Sequence, residues 1–183
     1  MEVPRGIVPA IRQMKDFEKA LESSYNTIVF LETRLAQLKS LVKYSKRSDK
    51  QVLLHFDLIQ GLKADEYGME FLIRDINPDG IISTRGNIIK LAKKHKLLAI
   101  QRMFLLDSMA VEHNLKLIDR FKPDCIELLP GLIPDVIEQI NDETGIPVIA
   151  GGLIRSSAEA SSALDAGAVA VSTSNTELWG VNK

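Results

Sequence analysis

Six charged residues stand where apolar runs of this sequence stop: Arg12, Glu32, Asp57, Arg85, Arg102 and Glu127. Charge at the end of an apolar segment is costly to bury unless it is paired or meets a ligand. Two other runs end in small residues, at Ala150-Gly151-Gly152 and at Ser172-Thr173-Ser174-Asn175. Gly151-Gly152 lets the backbone turn tightly and lets a ligand approach its amides. Ser156 and Ser157, with Glu159 behind them, can cap a helix there, and a short helix can begin after Asn175. Two adjacent ends opening on free N–H groups at helix starts would form an anion pocket, so phosphate is the expected guest. Glu32, Asp57 and Glu127 allow three readings. They could form structural ion pairs with Arg85 and Arg102, hold a hard cation such as Mg²⁺ for phosphate-ester chemistry, or accept hydrogen bonds from a polyol. His55 shares strand parity with Asp57 and is expected to point inward with it, as a hydrogen-bonded interior residue or a general base. No lysine falls at an inward strand end to act as a Schiff-base nucleophile. Neither a Gly-x-Gly-x-x-Gly fingerprint nor a Walker loop is present.

These residues must be placed by regular elements, and strand and helix signals alternate from end to end. Apolar runs at Ile7–Ala10, Thr27–Glu32, Gln51–Asp57, Ile81–Thr84, Leu97–Met103, Ile126–Pro130, Ile146–Ala150 and within Ala166–Asn175 read as strands buried on both faces. Helical patterns follow each, over about 14–21, 35–42, 69–76, 87–95, 109–121 and 133–144, then after Ser156, with a last short turn near Glu177–Trp179. Eight strands each followed by a helix predict βα units and a parallel sheet closed into a compact single-domain (β/α)₈ barrel spanning residues 1–183. The 183 residues are few for that fold, whose usual length is about 250, so the helices must be short. An open flavodoxin-like sheet is the alternative. In a barrel the six charged strand ends share the carboxyl face, where function sits, and phosphate commonly binds after strands seven and eight.

Composition narrows the class. Hydrophobic residues make up 45% and charged residues 26% of the chain, an ordinary globular balance with no membrane span. Met1–Arg5 lacks the basic and apolar stretches of a signal peptide, and one cysteine allows no internal disulfide, so a cytoplasmic location is expected. Cys125 opens an apolar run and reads as a core residue. The formal net charge of −1 restricts any nucleic-acid contact to a local patch. Two clusters offer one. Lys39, Lys43, Lys46, Arg47 and Lys50 close one helix, and Lys90, Lys93, Lys94, His95 and Lys96 close another. Both could be helix-end cations, or could meet an RNA backbone with Tyr44 and Tyr67 as the candidate stacking residues. Leu178 and Trp179, on a short last helix, could leave apolar surface for a second subunit.

Several motifs in this order resemble a known family. They are Pro9-Ala-Ile-Arg12, His55-Phe-Asp-Leu-Ile-Gln-Gly61, Asp65-Glu-Tyr-Gly68, Gly80-Ile-Ile-Ser-Thr-Arg85, Ile100-Gln-Arg-Met-Phe104, Glu127-Leu-Leu-Pro-Gly131, Ala150-Gly-Gly-Leu-Ile154 and Ser172-Thr-Ser-Asn175. Across essentially the whole chain the sequence resembles the glycerol-3-phosphate responsive antiterminators. The resemblance implies a regulatory barrel without cofactor, metal or catalytic residue. Its effector would be sn-glycerol 3-phosphate, its partner the leader mRNA of glycerol-uptake transcripts, and its action to carry transcription past a terminator. Carried onto this chain, it puts phosphate on Gly151, Gly152, Ser174 and Asn175, with charge from Arg12, Arg85 or Arg102. Glu32, Asp57 and Glu127 become candidates for the glycerol hydroxyls. The RNA contacts, assigned to Lys43, Lys46, Arg47, Lys93, Lys94 and Lys96, rest on the charge clusters alone. The loop from Gly61 to Gly68 is the expected moving part. The competing reading is a metal-dependent phosphodiesterase acting on glycerophosphodiesters through Glu32, Asp57 and Glu127.

Overall fold

The structure of the chain, a computed structural model, describes residues 2–180. Eight strands close into a parallel barrel: β1 (Gly6–Ile11), β2 (Thr27–Phe30), β3 (Gln51–His55), β4 (Gly80–Ser83), β5 (Leu98–Phe104), β6 (Cys125–Leu129), β7 (Val148–Gly151) and β8 (Ala170–Thr173). Sequence neighbours are barrel neighbours, and β8 closes the ring by setting Ala170 beside Gly6 of β1. Seven helices form the outer layer: α1 (Phe17–Glu22), α2 (Leu35–Arg47), α3 (Glu66–Phe71), α4 (Gly86–Lys94), α5 (Ser108–Phe121), α6 (Pro134–Thr144) and α7 (Ser157–Asp165). A 3₁₀ turn, Thr176–Trp179, follows β8. The chain therefore forms the expected compact (β/α)₈ barrel and not an open sheet.

Strand parity divides the core. One set of side chains fills the barrel interior, among them Val8, Val29, Leu53, Ile82, Ile100 and Ile149. The opposite set meets the helices, as Leu54 and Ile81 do in the cluster with Leu38 and Ile89, and Ile126 and Ala150 in the cluster with Ile118 and Ile137. Cys125 lies in the interior set, where burial pushes its thiol far above the usual range, so it has no nucleophilic thiolate.

At the amino-terminal end of the barrel one device appears twice. Asp79, before β4, donates its N–H to Val52 O at 2.9 Å, and its carboxylate accepts Val52 N at 2.8 Å and Lys46 Nζ at 3.0 Å. Asp124, before β6, donates to Ala99 O at 2.9 Å, accepts Ala99 N at 3.0 Å, and pairs with Lys93 Nζ at 3.2 Å. Each aspartate follows a proline, Pro78 or Pro123, that is itself preceded by a left-handed residue, Asn77 or Lys122. Each lysine is followed three positions on by another left-handed residue, Asp49 or Lys96. The chain thus clasps β3 to β4 and β5 to β6 with the same set of hydrogen bonds. These two clasps satisfy backbone groups at the strand starts that would otherwise need water.

Three expectations need correction. The segment Gly61–Gly68 is not one loop: α3 starts at Glu66, capped by Asp65, whose carboxylate accepts Gly68 N at 2.9 Å. Gly68 is buried against the Lys63 carbonyl, where any side chain would collide. Strand β3 ends at His55, because Phe56–Leu58 winds into a 3₁₀ turn, so the parity expected to carry Asp57 inward stops short. Finally, Trp179 is not the exposed residue expected on the last turn. Its indole is fully buried in the cluster that holds Ile11 and Ala20, and its Nε1 donates to Thr173 O at 2.9 Å.

Candidate functional site

A cleft of about 540 Å³ opens at the carboxyl end of the barrel. It brings together Arg12, Glu32, Arg102 and Glu127 with Gly152, Ser174 and Asn175. Asp57, Arg85 and Gly151 are not part of its lining. Leu31, Leu58, Leu129 and Leu153 form apolar stretches of wall between the polar groups.

The charged centre of the cleft is built by register. Parallel pairing of β5 and β6 sets Arg102 beside Glu127. Arg102 Nε donates to Glu127 Oε2 at 2.7 Å, and Ser172 Oγ from β8 donates to Oε1 at 2.8 Å. The two side chains are only 9% and 1% exposed. Burying both charges brings a large desolvation penalty, so the pair is poorly explained as a stabilising device. Nε is the one group through which Arg102 meets a carboxylate among the described residues. At the rim, Arg12 and Glu32 stand 4.0 Å apart and half-exposed, a contact worth little in water. Ser172 figures in the sequence only as the start of the Ser172–Asn175 run with no role of its own, although its parity with Ala170 turns both inward.

Asp57 does different work. Its carboxylate accepts Ser83 Oγ at 2.9 Å and Thr84 N at 2.8 Å, with Arg85 Nε at 3.5 Å. It therefore braces the turn from β4 into α4. His55 is interior as expected, yet among the described residues neither ring nitrogen has a hydrogen-bond partner.

The groups free to meet an anion are loop amides. Gly152 and Leu153 adopt consecutive left-handed conformations, with φ of 72° and 63°. For a leucine that is a strained backbone of the sort that persists at ligand sites. Among the described residues, the amides of Gly152, Leu153 and Ser174 donate to no protein acceptor. The helix start after β7 is capped in part, with Ser157 N and Ala158 N left without an acceptor among the described residues. Ser156 Oγ accepts Glu159 N at 3.2 Å, while Glu159 Oε2 accepts Arg155 N at 2.6 Å and Ser156 N at 3.0 Å. Those backbone donors, Arg155 first, hold the Glu159 carboxyl below its usual range. Asn175 is similarly engaged: its side chain donates to Arg155 O at 2.7 Å and accepts Glu177 N at 3.1 Å, tying the two loops together. Arg155, missed by the strand-end reading because it lies beyond the turn, adds a third guanidinium to the lining with Arg12 and Arg102.

The basic clusters lie towards the other end of the barrel, and the structure sorts them. Lys46 and Lys93 belong to the two clasps, and Lys93 also donates to Lys122 O. Lys50 is buried, donating to Ser23 O at 2.6 Å and Tyr25 O at 2.7 Å. Lys94 sits 3.9 Å from Glu66. Lys39, Lys43 and Arg47 on α2, with Lys90 and Lys96, are exposed and have no carboxylate within pairing distance among the described residues. Tyr44 is exposed beside the α2 set. No three His, Cys, Asp or Glu side chains converge as metal ligands among the described residues, and no helix is long and apolar enough to cross a membrane.

Comparison with known proteins places this geometry in company. Residues 7–179 match the family described as glycerol-3-phosphate responsive antiterminator. The chain is 52% identical to the glycerol uptake operon antiterminator regulatory protein of Listeria monocytogenes str. 4b F2365, covering 98% of both chains with a TM-score of 0.94. It is 32% identical to a glycerol uptake operon antiterminator-related protein of Thermotoga maritima MSB8, covering 97% of this chain and 99% of that one with a TM-score of 0.86. Among curated proteins it is 33% identical over 177 residues to YgcP of Escherichia coli (strain K12), described as uncharacterized, covering 97% and 93% of the two. The deoxyribose phosphate aldolase of Aeropyrum pernix, 14% identical at a TM-score of 0.72, shares the fold alone.

Proposed function

This chain belongs to the glycerol-3-phosphate responsive antiterminator family, and on that premise we propose that it is a metabolite-gated regulator that binds sn-glycerol 3-phosphate in the barrel-mouth cleft and the leader mRNA of glycerol-uptake transcripts on its surface. The observation that carries the ligand half is that Gly152, Leu153 and Ser174, whose amides have no acceptor among the described residues, line a cleft together with three arginines. Amides and guanidinium groups are what a phosphate dianion needs, and loops after strands seven and eight are where such barrels hold it. Glu127 and Glu32 then serve the hydroxyl end. For RNA, the free cations of α2, Lys39, Lys43 and Arg47, with Tyr44 beside them, make the favoured face, and Lys94 and Lys96 extend it.

Gating is a population shift: ligand favours the conformation that binds RNA better, and RNA must favour ligand equally. The phosphodiesterase alternative finds no geometric support. Asp57 is turned away into the β4–α4 brace, and both oxygens of Glu127 already have partners.

The test is a mobility-shift titration of a glycerol-operon leader transcript with and without glycerol 3-phosphate, using wild type and Gly152→Asp. Ligand should tighten RNA binding and raise the melting temperature of wild type, and should be recovered chemically unchanged. In Gly152→Asp a carboxylate stands where phosphate belongs, so both effects should vanish. A ligand-induced melting shift that survives in the variant sinks the assigned site.

A further inference from the structure

His55 is the last residue of β3, in step with Leu53 of the interior set, and is only 3% exposed. Neither Nδ1 nor Nε2 has a partner. A buried polar group left without a hydrogen bond costs about 1–3 kcal/mol, and native interiors rarely leave one so. The interior set of its strand and of the neighbouring strands is apolar, with Val29, Leu53, Ile82 and Ile100. The polar groups acting on it are Arg102, Glu127, Asp57 and the carbonyl of His55 itself, and the first two wall the cleft. Burial, reinforced by the Arg102 cation, lowers its pKa to about 4. The imidazole is therefore neutral at physiological pH and offers one donor and one acceptor. That pair of functions suits a hydroxyl, which is also donor and acceptor. It suits a phosphate dianion poorly, because the dianion offers acceptors only.

The cleft thus has two chemically different ends. Loop amides and Arg155 supply one chemistry, while the Arg102–Glu127 pair, with Ser172 on Glu127, and the unanswered ring of His55 supply the other. We propose that His55 is a ligand residue: the hydroxyl-bearing end of a bound phosphate ester occupies the layer between the Arg102–Glu127 pair and the imidazole and hydrogen-bonds the ring, so that His55 sets a preference for polyol phosphates over bare phosphate. His55 is not itself part of the open cleft wall. Because the ring lies outside that wall, a ligand reaching it must displace the Arg102–Glu127 pair. This inference rests on the phosphate-ester reading of the cleft and adds to it the source of discrimination.

The experiment is titration calorimetry of wild type, His55→Leu and His55→Asn with two probes, glycerol 3-phosphate and inorganic phosphate. In His55→Leu the affinity for glycerol 3-phosphate should fall about tenfold or more, while that for inorganic phosphate holds. His55→Asn keeps a donor and an acceptor and should recover part of the loss. An unchanged ratio of the two affinities in His55→Leu overturns the inference and leaves the phosphate site standing. Wild type binding neither probe overturns the cleft reading and this inference with it. Imidazole ¹⁵N spectra of wild type give a check independent of variant folding, because His95 and His113 are both exposed. Glycerol 3-phosphate should move the buried ring's resonances and inorganic phosphate should not; buried-ring signals that ignore both probes also overturn it.

Discussion

The two ends of the barrel treat charge in opposite ways. At the amino-terminal end each clasp is complete within the chain: aspartate, lysine and strand amides answer one another at 2.8–3.2 Å, twice over. At the carboxyl end an ion pair is buried, and among the described residues an imidazole has no partner and amides in strained left-handed loops have no acceptor. Unanswered polar groups lower stability, which is why this end is the one proposed to meet a ligand. The closed end holds the barrel together.

The sharpest way to break this contrast is to remove one partner at the open end and then both. Glu127→Ala leaves the Arg102 cation buried without its carboxylate and should destabilise the fold by about 3–5 kcal/mol in denaturant titration. Replacing both, Arg102→Met with Glu127→Leu, should come out near neutral or more stable, because the desolvation penalty disappears with the charges. The double variant should nonetheless lose its melting response to glycerol 3-phosphate. If it proves as unstable as the single variant, the pair is structural and the contrast between the ends collapses.

The pH dependence of stability is next in size. Above pH 6.5 His55 is neutral in both folded and unfolded chains and contributes no slope. As pH falls from 6.5 towards 4 the unfolded chain takes up a proton that the folded chain refuses, so stability declines. The decline approaches about 3 kcal/mol by the lower limit. Melting temperatures across that window should flatten in His55→Leu. A variant that keeps the full wild-type slope would move the titration to another group.

Removing a clasp is expected to cost less. Asp79→Ala or Asp124→Ala strips an acceptor from Val52 N or Ala99 N and frees a lysine, for about 1–3 kcal/mol each. The two losses should match each other, since the two clasps share their geometry, and should leave ligand affinity unaltered. Unequal losses would show that the likeness is only of form.

Much of this is legible in the sequence, for physical reasons that also mark where reading stops. Strands buried on both faces leave continuous apolar runs, so eight strands and their closure can be counted. Strand ends are harder, because a 3₁₀ turn such as Phe56–Leu58 carries no apolar period to distinguish it from the extended run before it; parity misplaces Asp57 for that reason. The start of α3 hides in a polar stretch because its cap, Asp65, looks like any loop aspartate until Gly68 N is seen to bind it. Trp179 reads as exposed on a one-turn helix, and only closure of the barrel brings β1 and α1 over it. The clasps do have a sequence signal: Asn77-Pro78-Asp79 and Lys122-Pro123-Asp124 stand in plain view before β4 and β6. What no pattern announces is the state of the cleft, since partnerless groups at His55 and Gly152–Leu153 are defined by what does not reach them.

The smallest expected effect on stability separates lysines that look identical in sequence. Lys93 and Lys46 belong to clasps, whereas Lys39, Lys43 and Arg47 have no carboxylate within reach among the described residues. Replacing Lys39, Lys43 and Arg47 together by alanine should change stability by no more than about 0.5 kcal/mol, as for surface positions without partners. If α2 meets the RNA backbone, the same variant should bind leader transcript more weakly. The slope of log affinity against log salt should fall by about 0.7 for each phosphate of single-stranded RNA that the variant no longer neutralises. Lys93→Ala should do the reverse, lowering the melting temperature while leaving the salt slope alone. Should Lys93→Ala flatten the slope as much as the triple variant, the clasps face the RNA as well, and the amino-terminal end would be a binding surface in addition to a closure.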